Sequence, residues 1–202
     1  MSVTVVGLTG PIGAGKSTVA SLLRQKGARV LDADALAKDE QVRGTIGYSA
    51  IVQRFGTEVL GPDREIDRAK LAAIVFADPE ALARLEAILH PRVIARVLEA
   101  RAMTPDGAVL VVEAIKLLET AAHRLCDQVW VVTAPRATLV ERLARERGMP
   151  AGEALARLGA QADDAAFRAR ADVVIENDGD RAALAQAVDR AWAAFTSSAP
   201  DR

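Results

Sequence analysis

The stretch that decides the fold is Gly10-Pro11-Ile12-Gly13-Ala14-Gly15-Lys16-Ser17. It fits the pattern Gly-x-x-x-x-Gly-Lys-Ser, whose glycines let backbone N–H groups turn toward the phosphates of a nucleotide. In this pattern the Lys16 ammonium supplies positive charge to the β- and γ-phosphates, and the Ser17 hydroxyl is a ligand for Mg²⁺. The sequence therefore predicts a phosphate loop over residues 10–18.

The segments on both sides of the phosphate loop provide the setting that the pattern requires. Val3–Leu8 is typical of a buried strand, and the apolar residues of Ser17–Lys26 recur at helical spacing. The loop would then open a helix, whose positive N-terminal end favours phosphate. This setting favours a nucleotide site over the alternative, a glycine-rich turn that binds nothing. The predicted nucleotide contacts are Pro11, Ile12, Gly13, Ala14, Gly15, Lys16, Ser17 and Thr18.

Length and charge exclude several classes of protein. The chain has 202 residues, enough for one α/β domain with an insertion. Its formal net charge of -1, from 26 basic and 27 acidic residues, offers no positive field for a nucleic-acid backbone. Aromatic residues make up only 3% of the chain, which argues against base-stacking platforms for single strands. We expect a small phosphorylated substrate and no nucleic-acid partner.

The hydropathy pattern predicts a cytoplasmic protein without a membrane partner. No apolar run approaches the roughly 20 residues that a membrane helix needs, and no secretion signal precedes the first predicted strand. The single cysteine, Cys126, excludes an internal disulfide. We expect a monomer, and a homo-oligomer stays open.

Five short apolar runs, separated by long helical stretches, predict the fold class. This alternation is typical of a three-layer α/β fold, a P-loop fold with a five-stranded parallel sheet and helices on both faces. The predicted strands are Val3–Leu8, Arg29–Leu31, Ala108–Val112, Gln128–Val132 and Asp172–Ile175.

The interval between the second and third predicted strands is too long for one crossover helix. We predict a helical, substrate-binding insertion over 35–104, and a nucleotide-binding core over 1–34 and 105–202. Within the insertion, Asp67 and Asp78 are expected N-caps of helices over 68–76 and 79–89, with a break at His90-Pro91. The chain after residue 196 is an expected frayed tail.

Acidic residues end two of the predicted strands. Asp32 and Asp34 follow the second strand, at the edge where open α/β sheets bind ligands. Either one can orient or deprotonate an attacking hydroxyl, hold Mg²⁺ through water, or cap the next helix. Glu113 ends the third strand, where a carboxylate can serve Mg²⁺, although an acid at an exposed strand end is the plain alternative.

Two later segments carry candidate nucleotide contacts. The predicted helix Ala137–Arg147 holds several arginines, of which Arg142 is the favoured phosphate ligand on a mobile lid over about 142–165. Surface ion pairs are the alternative for these arginines. The turn after the last strand places Asn177 and Gly179 near an adenine, although Asn-Asp-Gly is also ordinary turn chemistry.

Taken together, these motifs resemble the dephospho-coenzyme A kinase family over nearly the whole chain. The matching pieces, in order, are 7–18, Leu31-Asp32-Ala33-Asp34, Phe55-Gly56, Ile66-Asp67-Arg68, Leu85-Glu86, His90-Pro91, Val131-Val132, Arg142-Leu143, Ala160-Gln161 and 171–179. The resemblance implies a kinase with Asp34 as catalytic base, Arg142 as lid arginine and Asn177 near adenine. It also implies that Arg68 and His90 lie in the region that receives the coenzyme.

The chain departs from the family pattern at a few positions. Pro11 stands where the family usually has glycine, and Ala72 replaces a frequent arginine. The segment Glu113–Glu119 replaces the common Asp-x-Pro-Leu-Leu-Phe-Glu, with Ile115 and Lys116 at its altered positions.

The resulting hypothesis is transfer of the ATP γ-phosphate to the ribose 3′-hydroxyl of dephospho-coenzyme A, the last step of coenzyme A synthesis. Lys16 and Arg142 would offset the developing charge, with Mg²⁺ held by Ser17 and Glu113. Two alternatives stay open. One is a P-loop kinase for shikimate, gluconate or a nucleoside, and the other is a nucleotide switch that binds partners.

Overall fold

The computed structural model describes residues Val3–Ser198. Its strands are β1 Thr4–Thr9, β2 Arg29–Asp32, β3 Val109–Glu113, β4 Gln128–Thr133 and β5 Val173–Glu176. Its α-helices are α1 Lys16–Gln25, α2 Ala33–Asp39, α3 Ile46–Phe55, α4 Arg68–Ala77, α5 Pro79–Ala102, α6 Arg136–Arg147, α7 Ala151–Gly159, α8 Asp164–Arg168 and α9 Arg181–Ser198. Short 3₁₀ helices cover Thr57–Val59, Leu117–Glu119 and Ala121–Leu125.

The five strands form one sheet in the order β2-β3-β1-β4-β5. β1 pairs in parallel with β3, Leu8 opposite Glu113, and with β4, Leu8 opposite Trp130. β4 pairs in parallel with β5. The predicted five-stranded parallel α/β fold is confirmed, with strand ends within one residue of their expected positions. Because the strands are parallel, the phosphate loop after β1 shares its edge of the sheet with the ends of β3, β4 and β5.

Side chains of β1 alternate between the two faces of the sheet. Val6 and Leu8 belong to the main apolar core, which also contains Val19 and Leu23 of α1. Gly7 faces the other way, where a Cβ would lie 2.5 Å from Leu117 Cδ2 and 2.8 Å from Cys126 Sγ. A strand that is covered on both faces has a nearly continuous apolar sequence, and this pattern is why the sequence predicts β1.

The chain divides into two compact units. The core unit is the chain up to Leu31 together with the chain from Met103 onward, and the helical unit is Asp32–Ala102. The expected ranges were 1–34 with 105–202, and 35–104. In the core unit α1 packs against α9, and α9 packs against β5.

The helical unit contains α2 to α5, of which α3, α4 and α5 pack around an apolar cluster that includes Ile51, Val59 and Leu71. α2 packs against α5. Asp67 caps α4 as predicted, since its Oδ1 accepts the N–H groups of Ala69 and Lys70. At the start of α5 the Glu80 N–H donates to Asp78 Oδ1 at 2.9 Å. Asp67 and Asp78, which precede α4 and α5, are therefore helix caps.

Two expectations about helix ends were wrong. No break occurs at His90-Pro91, because α5 continues through Pro91 to Ala102. Buried residues recur at helical spacing on both sides of the proline, at Leu89, Val93 and Val97, and their packing outweighs the one backbone hydrogen bond that proline cannot make. At the chain's end, residues 197 and 198 belong to α9, and the rest of the expected tail, 199–202, lies outside the described residues.

Candidate active site

The phosphate loop leaves β1 in a conformation that only glycine adopts readily. Gly10, Gly13 and Gly15 have φ values of 144°, 81° and 93°. A Cβ on Gly10 would lie 2.0 Å from the carbonyl oxygen of Val132, and one on Gly15 would lie 2.3 Å from Nδ2 of Asn177. Both the backbone angles and the close neighbours therefore exclude larger residues at these two positions.

Several backbone donors of the phosphate loop have no acceptor within the described part of the chain. The N–H groups of Gly13, Gly15 and Ser17 make no hydrogen bond there, and Gly15 provides no side-chain cap for α1. The Ser17 side chain is exposed in the first turn of α1. Unsatisfied N–H groups at the positive end of a helix form an anion-binding site.

Lys16 lies over this loop with its side chain almost fully buried. Its Nζ donates to the carbonyl oxygens of Gly10 at 2.9 Å and of Pro11 at 3.0 Å. The ammonium is thus held beside the loop at the start of α1. An ammonium in that position provides positive charge where phosphate oxygens would lie.

Two side chains from distant parts of the sequence bond to the backbone of the phosphate loop. Oε1 of Gln161 accepts the N–H of Ile12 at 3.0 Å, and Nδ2 of Asn177 donates to the carbonyl of Ala14 at 2.8 Å. The backbone N–H of Asn177 donates to the Thr133 carbonyl at 2.8 Å. Sequence reasoning placed Asn177 beside adenine, whereas its buried side-chain amide contacts the loop itself.

Gln161 is a site residue that sequence reasoning missed. It appeared only within the Ala160-Gln161 motif of the family resemblance, without a role. A polar residue after a surface helix carries no local signal of a long-range contact, and its bond to Ile12 spans 149 positions. Only that family motif could have drawn attention to it.

Arg142 reaches the same region from α6. Its Nη2 donates to Oδ1 of Asn177 at 3.3 Å, and its Nη1 is shielded from solvent with no hydrogen-bond partner among the described residues. Leu143, the next residue, lies against the loop, since a Cβ on Gly13 would be 3.1 Å from its Cγ. A buried guanidinium N–H without an acceptor is costly unless an anion or water satisfies it.

A cleft of about 320 Å³ opens beyond the carboxyl ends of β4 and β5. Oδ1 of Asp164 accepts the Thr133 hydroxyl there, and Arg168 pairs with both Asp164 and Glu176. The hydrogen bond from Thr133, followed by that from Arg168, lowers the pKa of Asp164. Asp178 of the turn 177–179 lines this cleft. Gly179 follows it in the turn, where a Cβ would be 3.0 Å from that of Ala183.

Three predicted site residues belong to the helical unit. Asp34 is exposed in the first turn of α2, whose N-cap is Asp32, with Oδ1 accepting the Ala35 N–H at 2.9 Å. Arg68 begins α4 and its Nη2 donates to the Lys38 carbonyl of α2 at 3.4 Å. His90 is half-buried within α5, which packs against α2. The capping alternative therefore applies to Asp32, while Asp34 lies two residues further on, within the first turn of the helix.

The residues expected to hold Mg²⁺ supply hard oxygen donors at one edge of the sheet. Glu113 ends β3 in register with Leu8, and Ser17 lies near the end of the phosphate loop, which starts two residues after Leu8. A hydroxyl and a carboxylate suit Mg²⁺, which takes few protein ligands and completes its shell with phosphate oxygens and water. Among the described residues no cluster of three His, Cys, Asp or Glu could bind a metal ion by itself.

Within residues 3–198, no helix is both long and apolar enough to span a bilayer.

Comparison with known proteins yields consistent matches. The family model described as dephospho-CoA kinase matches residues 4–183. A dephospho-CoA kinase from Thermobifida fusca is 45% identical, covering 93% of this chain and 94% of that protein. The crystal structure of TT1252 from Thermus thermophilus superposes with a TM-score of 0.83 at 35% identity, covering 98% and 99% of the two chains. Dephospho-CoA kinase from Campylobacter jejuni superposes with a TM-score of 0.71 at 26% identity, covering 96% and 97%.

A phosphate loop between the first strand of a parallel sheet and its first helix, with an arginine-bearing helix beside it, defines the class of P-loop kinases. The family model, the similar relative and the solved structures narrow that class to one family. The chain belongs to the dephospho-CoA kinase family.

Proposed function

We propose that the triphosphate of ATP binds along the phosphate loop, residues 10–18. The observation that carries this proposal is the set of backbone N–H groups, those of Gly13, Gly15 and Ser17, that lack an acceptor in the described structure. They lie at the positive end of α1, beside the Lys16 ammonium. Phosphate oxygens would satisfy these donors, and Lys16 would exchange its two carbonyl partners for phosphate.

As a member of its family the chain is an ATP-dependent kinase of the last step of coenzyme A biosynthesis. In the reaction that we propose, the 3′-oxygen of dephospho-CoA forms a bond to the γ-phosphorus while the bond from that phosphorus to the β–γ bridging oxygen breaks. ADP leaves, and coenzyme A is released. Positioning and charge stabilisation account for most of the catalysis in such transfers.

We propose that Asp34 is the general base, which accepts the proton of the acceptor hydroxyl. Asp32 caps α2, whereas the Asp34 carboxylate is exposed in the first turn of that helix, two residues after the end of β2. It would orient the 3′-hydroxyl and accept its proton as the new P–O bond forms. Arg68 and His90 belong to the same unit, and we propose that they contact the coenzyme portion of the acceptor.

We assign charge stabilisation to Lys16 and Arg142. The Nη1 of Arg142, which has no hydrogen-bond partner within residues 3–198, supports this role, because a phosphate oxygen would satisfy it. Ser17 and Glu113 would hold Mg²⁺, whose charge offsets that of the phosphate oxygens. Asn177 and Gly179 would border the base of ATP through the turn that follows β5.

The first experiment tests the acceptor. Purified protein with ATP, Mg²⁺ and dephospho-CoA should form coenzyme A and ADP, detected by chromatography. Shikimate, gluconate and nucleosides in place of dephospho-CoA should give no phosphorylated product. Turnover with one of these alternatives and none with dephospho-CoA would end the substrate assignment.

The second experiment separates the base from the phosphate site. Asp34→Asn should lower kcat by about 10²–10⁴-fold with the Kd for ATP nearly unchanged, because it removes a proton acceptor and no phosphate contact. Asp39→Asn is the matched control, an exposed carboxylate on the same helix, and should retain activity. Equal rates for the two variants would reject Asp34 as the base.

Lys16→Ala tests the loop assignment. It should raise the Kd for ATP at least tenfold, on the order of the loss of one charge-assisted contact. Lys26→Ala, which removes an ion pair with Asp189 beyond the other end of α1, is the control and should bind ATP normally. Unaltered ATP binding by Lys16→Ala would place the triphosphate elsewhere.

A further inference from the structure

We propose that Gln161 is a positioning residue for the kinase reaction: it holds the phosphate loop in its binding conformation through the N–H of Ile12. The two groups are 3.0 Å apart, from Gln161 Oε1 to Ile12 N. This inference rests on the proposal that the triphosphate binds the loop. Gln161 would act on the nucleotide site by holding the loop backbone, without contacting ATP itself.

The loop needs this support because its glycines leave the backbone many alternative conformations and because much of that backbone is buried. Ile12 is 6% exposed and lies between two glycines with positive φ, Gly10 and Gly13. A buried N–H without a partner costs free energy comparable to a lost hydrogen bond. Gln161 removes that cost only when the loop has the shape seen here, so it selects this shape over others.

Gln161 and Asn177 act on the loop from two sides. Asn177 donates to the carbonyl of Ala14, and Gln161 accepts from the N–H of Ile12, which lies two residues earlier. Between and after these residues lie three N–H groups, those of Gly13, Gly15 and Ser17, for which the described part of the chain provides no acceptor. Fixing the backbone on both sides keeps these donors aimed at one place before ATP arrives, which is preorganisation.

A glutamine suits this position better than a glutamate. The bond requires an acceptor oxygen beside a site for a highly charged anion. The amide oxygen accepts without carrying charge, whereas a carboxylate would repel the phosphates. The residue type therefore fits loop support at an anion site.

The position of Gln161 also connects the loop to α7. Gln161 follows the last residue of α7, Gly159, by two positions, and Leu158 of α7 lies in the same apolar cluster as Ile12. Gln161 therefore stays on the loop only while α7 remains packed in that cluster. Loss of the Gln161 contact should therefore weaken the binding of ATP and leave the binding of dephospho-CoA unchanged.

Gln161→Met tests the proposal, because methionine has a similar length but no strong acceptor. We expect the Kd and KM for ATP to rise about tenfold, the KM for dephospho-CoA to stay unchanged, and hydrogen exchange of the Ile12 amide to accelerate. Gln128→Met is the matched control, since Gln128 Oε1 also accepts one hydrogen bond in the core unit, from Trp130 Nε1 at 3.0 Å. It should leave ATP binding unaltered.

Gln161→Glu separates the hydrogen bond from the charge. Its carboxylate still accepts the Ile12 N–H, so we expect wild-type protection of that amide. ATP binding should nevertheless be weak at low ionic strength and recover partly as salt screens the repulsion. Rapid Ile12 exchange in this variant would contradict the role assigned to the side-chain oxygen.

Three results would overturn the inference. The first is wild-type ATP affinity in a folded Gln161→Met variant, and the second is unchanged Ile12 exchange. The third is an equal rise of both KM values with a lowered melting temperature, which would indicate general destabilisation. Failure of the proposed function is distinguishable, because Lys16→Ala would then bind ATP normally.

Discussion

At the scale of single residues, the site depends on glycines for two separable reasons. Gly15 has a φ of 93° and also lies against Asn177, where a Cβ would be 2.3 Å from Nδ2. Gly27 has a nearly identical φ of 92°, but a Cβ there would meet nothing within 4 Å. The two positions therefore differ in steric contact while they share the backbone conformation.

Gly15→Ala should disable the phosphate loop, whereas Gly27→Ala should only destabilise the protein. Both substitutions place a Cβ in the left-handed region, at a cost of about 1 kcal/mol. Only the first displaces Asn177 and disturbs the Ala14 carbonyl that it bonds. Titration with ATP and urea unfolding of both variants measure the difference. Normal ATP binding by Gly15→Ala would contradict the close approach of Asn177.

Cys126 gives the protein a pH dependence in the alkaline range. Burial, followed by the charge of Asp127, raises the pKa of its thiol from 9.0 to about 11. The folded state therefore holds this proton more tightly than the unfolded state. Its contribution to stability is complete below pH 9 and is lost as the pH rises toward 11.

The expected result is a fall in the free energy of unfolding between pH 8.5 and 10.5 that depends on Cys126. The free energy of unfolding of the wild type should fall on the order of 1 kcal/mol more than that of Cys126→Ala over this interval, most of which lies between the two pKa values. Identical pH profiles for the two proteins would show that the thiol titrates alike in both states.

At the scale of elements, α5 shows how packing can carry a helix through a proline. Pro91 is in its interior, where the missing N–H leaves the Ala87 carbonyl without its usual helical donor. Pro79 begins the same helix, at a position where the missing N–H has no consequence. The helix thus contains one costly proline and one harmless proline.

Pro91→Ala should stabilise the protein, and Pro79→Ala should not. Restoring the backbone hydrogen bond in the helix interior is expected to add about 1–3 kcal/mol to the free energy of unfolding. The change at Pro79 should stay within about 0.5 kcal/mol. Urea unfolding of both variants measures this. A loss of stability in Pro91→Ala would mean that the packing of α5 depends on a proline-induced bend.

At the scale of the whole molecule, two units have separate apolar cores. The core unit is built on a cluster that includes Val188 and Trp130, and the helical unit on one that includes Ile51 and Val59. Ile51 and Val188 are both completely buried. Because the cores are separate, partial unfolding of one unit is expected to leave the other folded.

Ile51→Ala should therefore accelerate hydrogen exchange in α3, α4 and α5 while β1 and β4 stay protected. The cavity is expected to cost about 2–5 kcal/mol. ATP binding should persist, because the phosphate loop belongs to the core unit. Val188→Ala is the reciprocal control and should loosen the core unit instead. Equal acceleration throughout both units in either variant would indicate one cooperative unit.

Local patterns account for what could be predicted of this fold. A buried apolar run, a glycine-rich loop and a helical repeat follow one another within the first 26 residues, and their outcome, β1, the loop and α1, needs no distant contact. The cap at Asp67 is equally local. The break expected at Pro91 was wrong because a local penalty was outweighed by packing along α5, which no short segment reveals.

The sequence by itself determined the succession of strands and helices along the chain, the phosphate loop and the family. These features depend on residue type and on spacing along the chain. Tertiary structure alone decided which side chains hold the loop. Gln161 and Asn177 bond to Ile12 and Ala14 across 149 and 163 positions, respectively. Such hydrogen bonds depend on how the sheet and its helices pack. Each one involves two isolated residues and is worth little free energy, so no repeating sequence pattern predicts it.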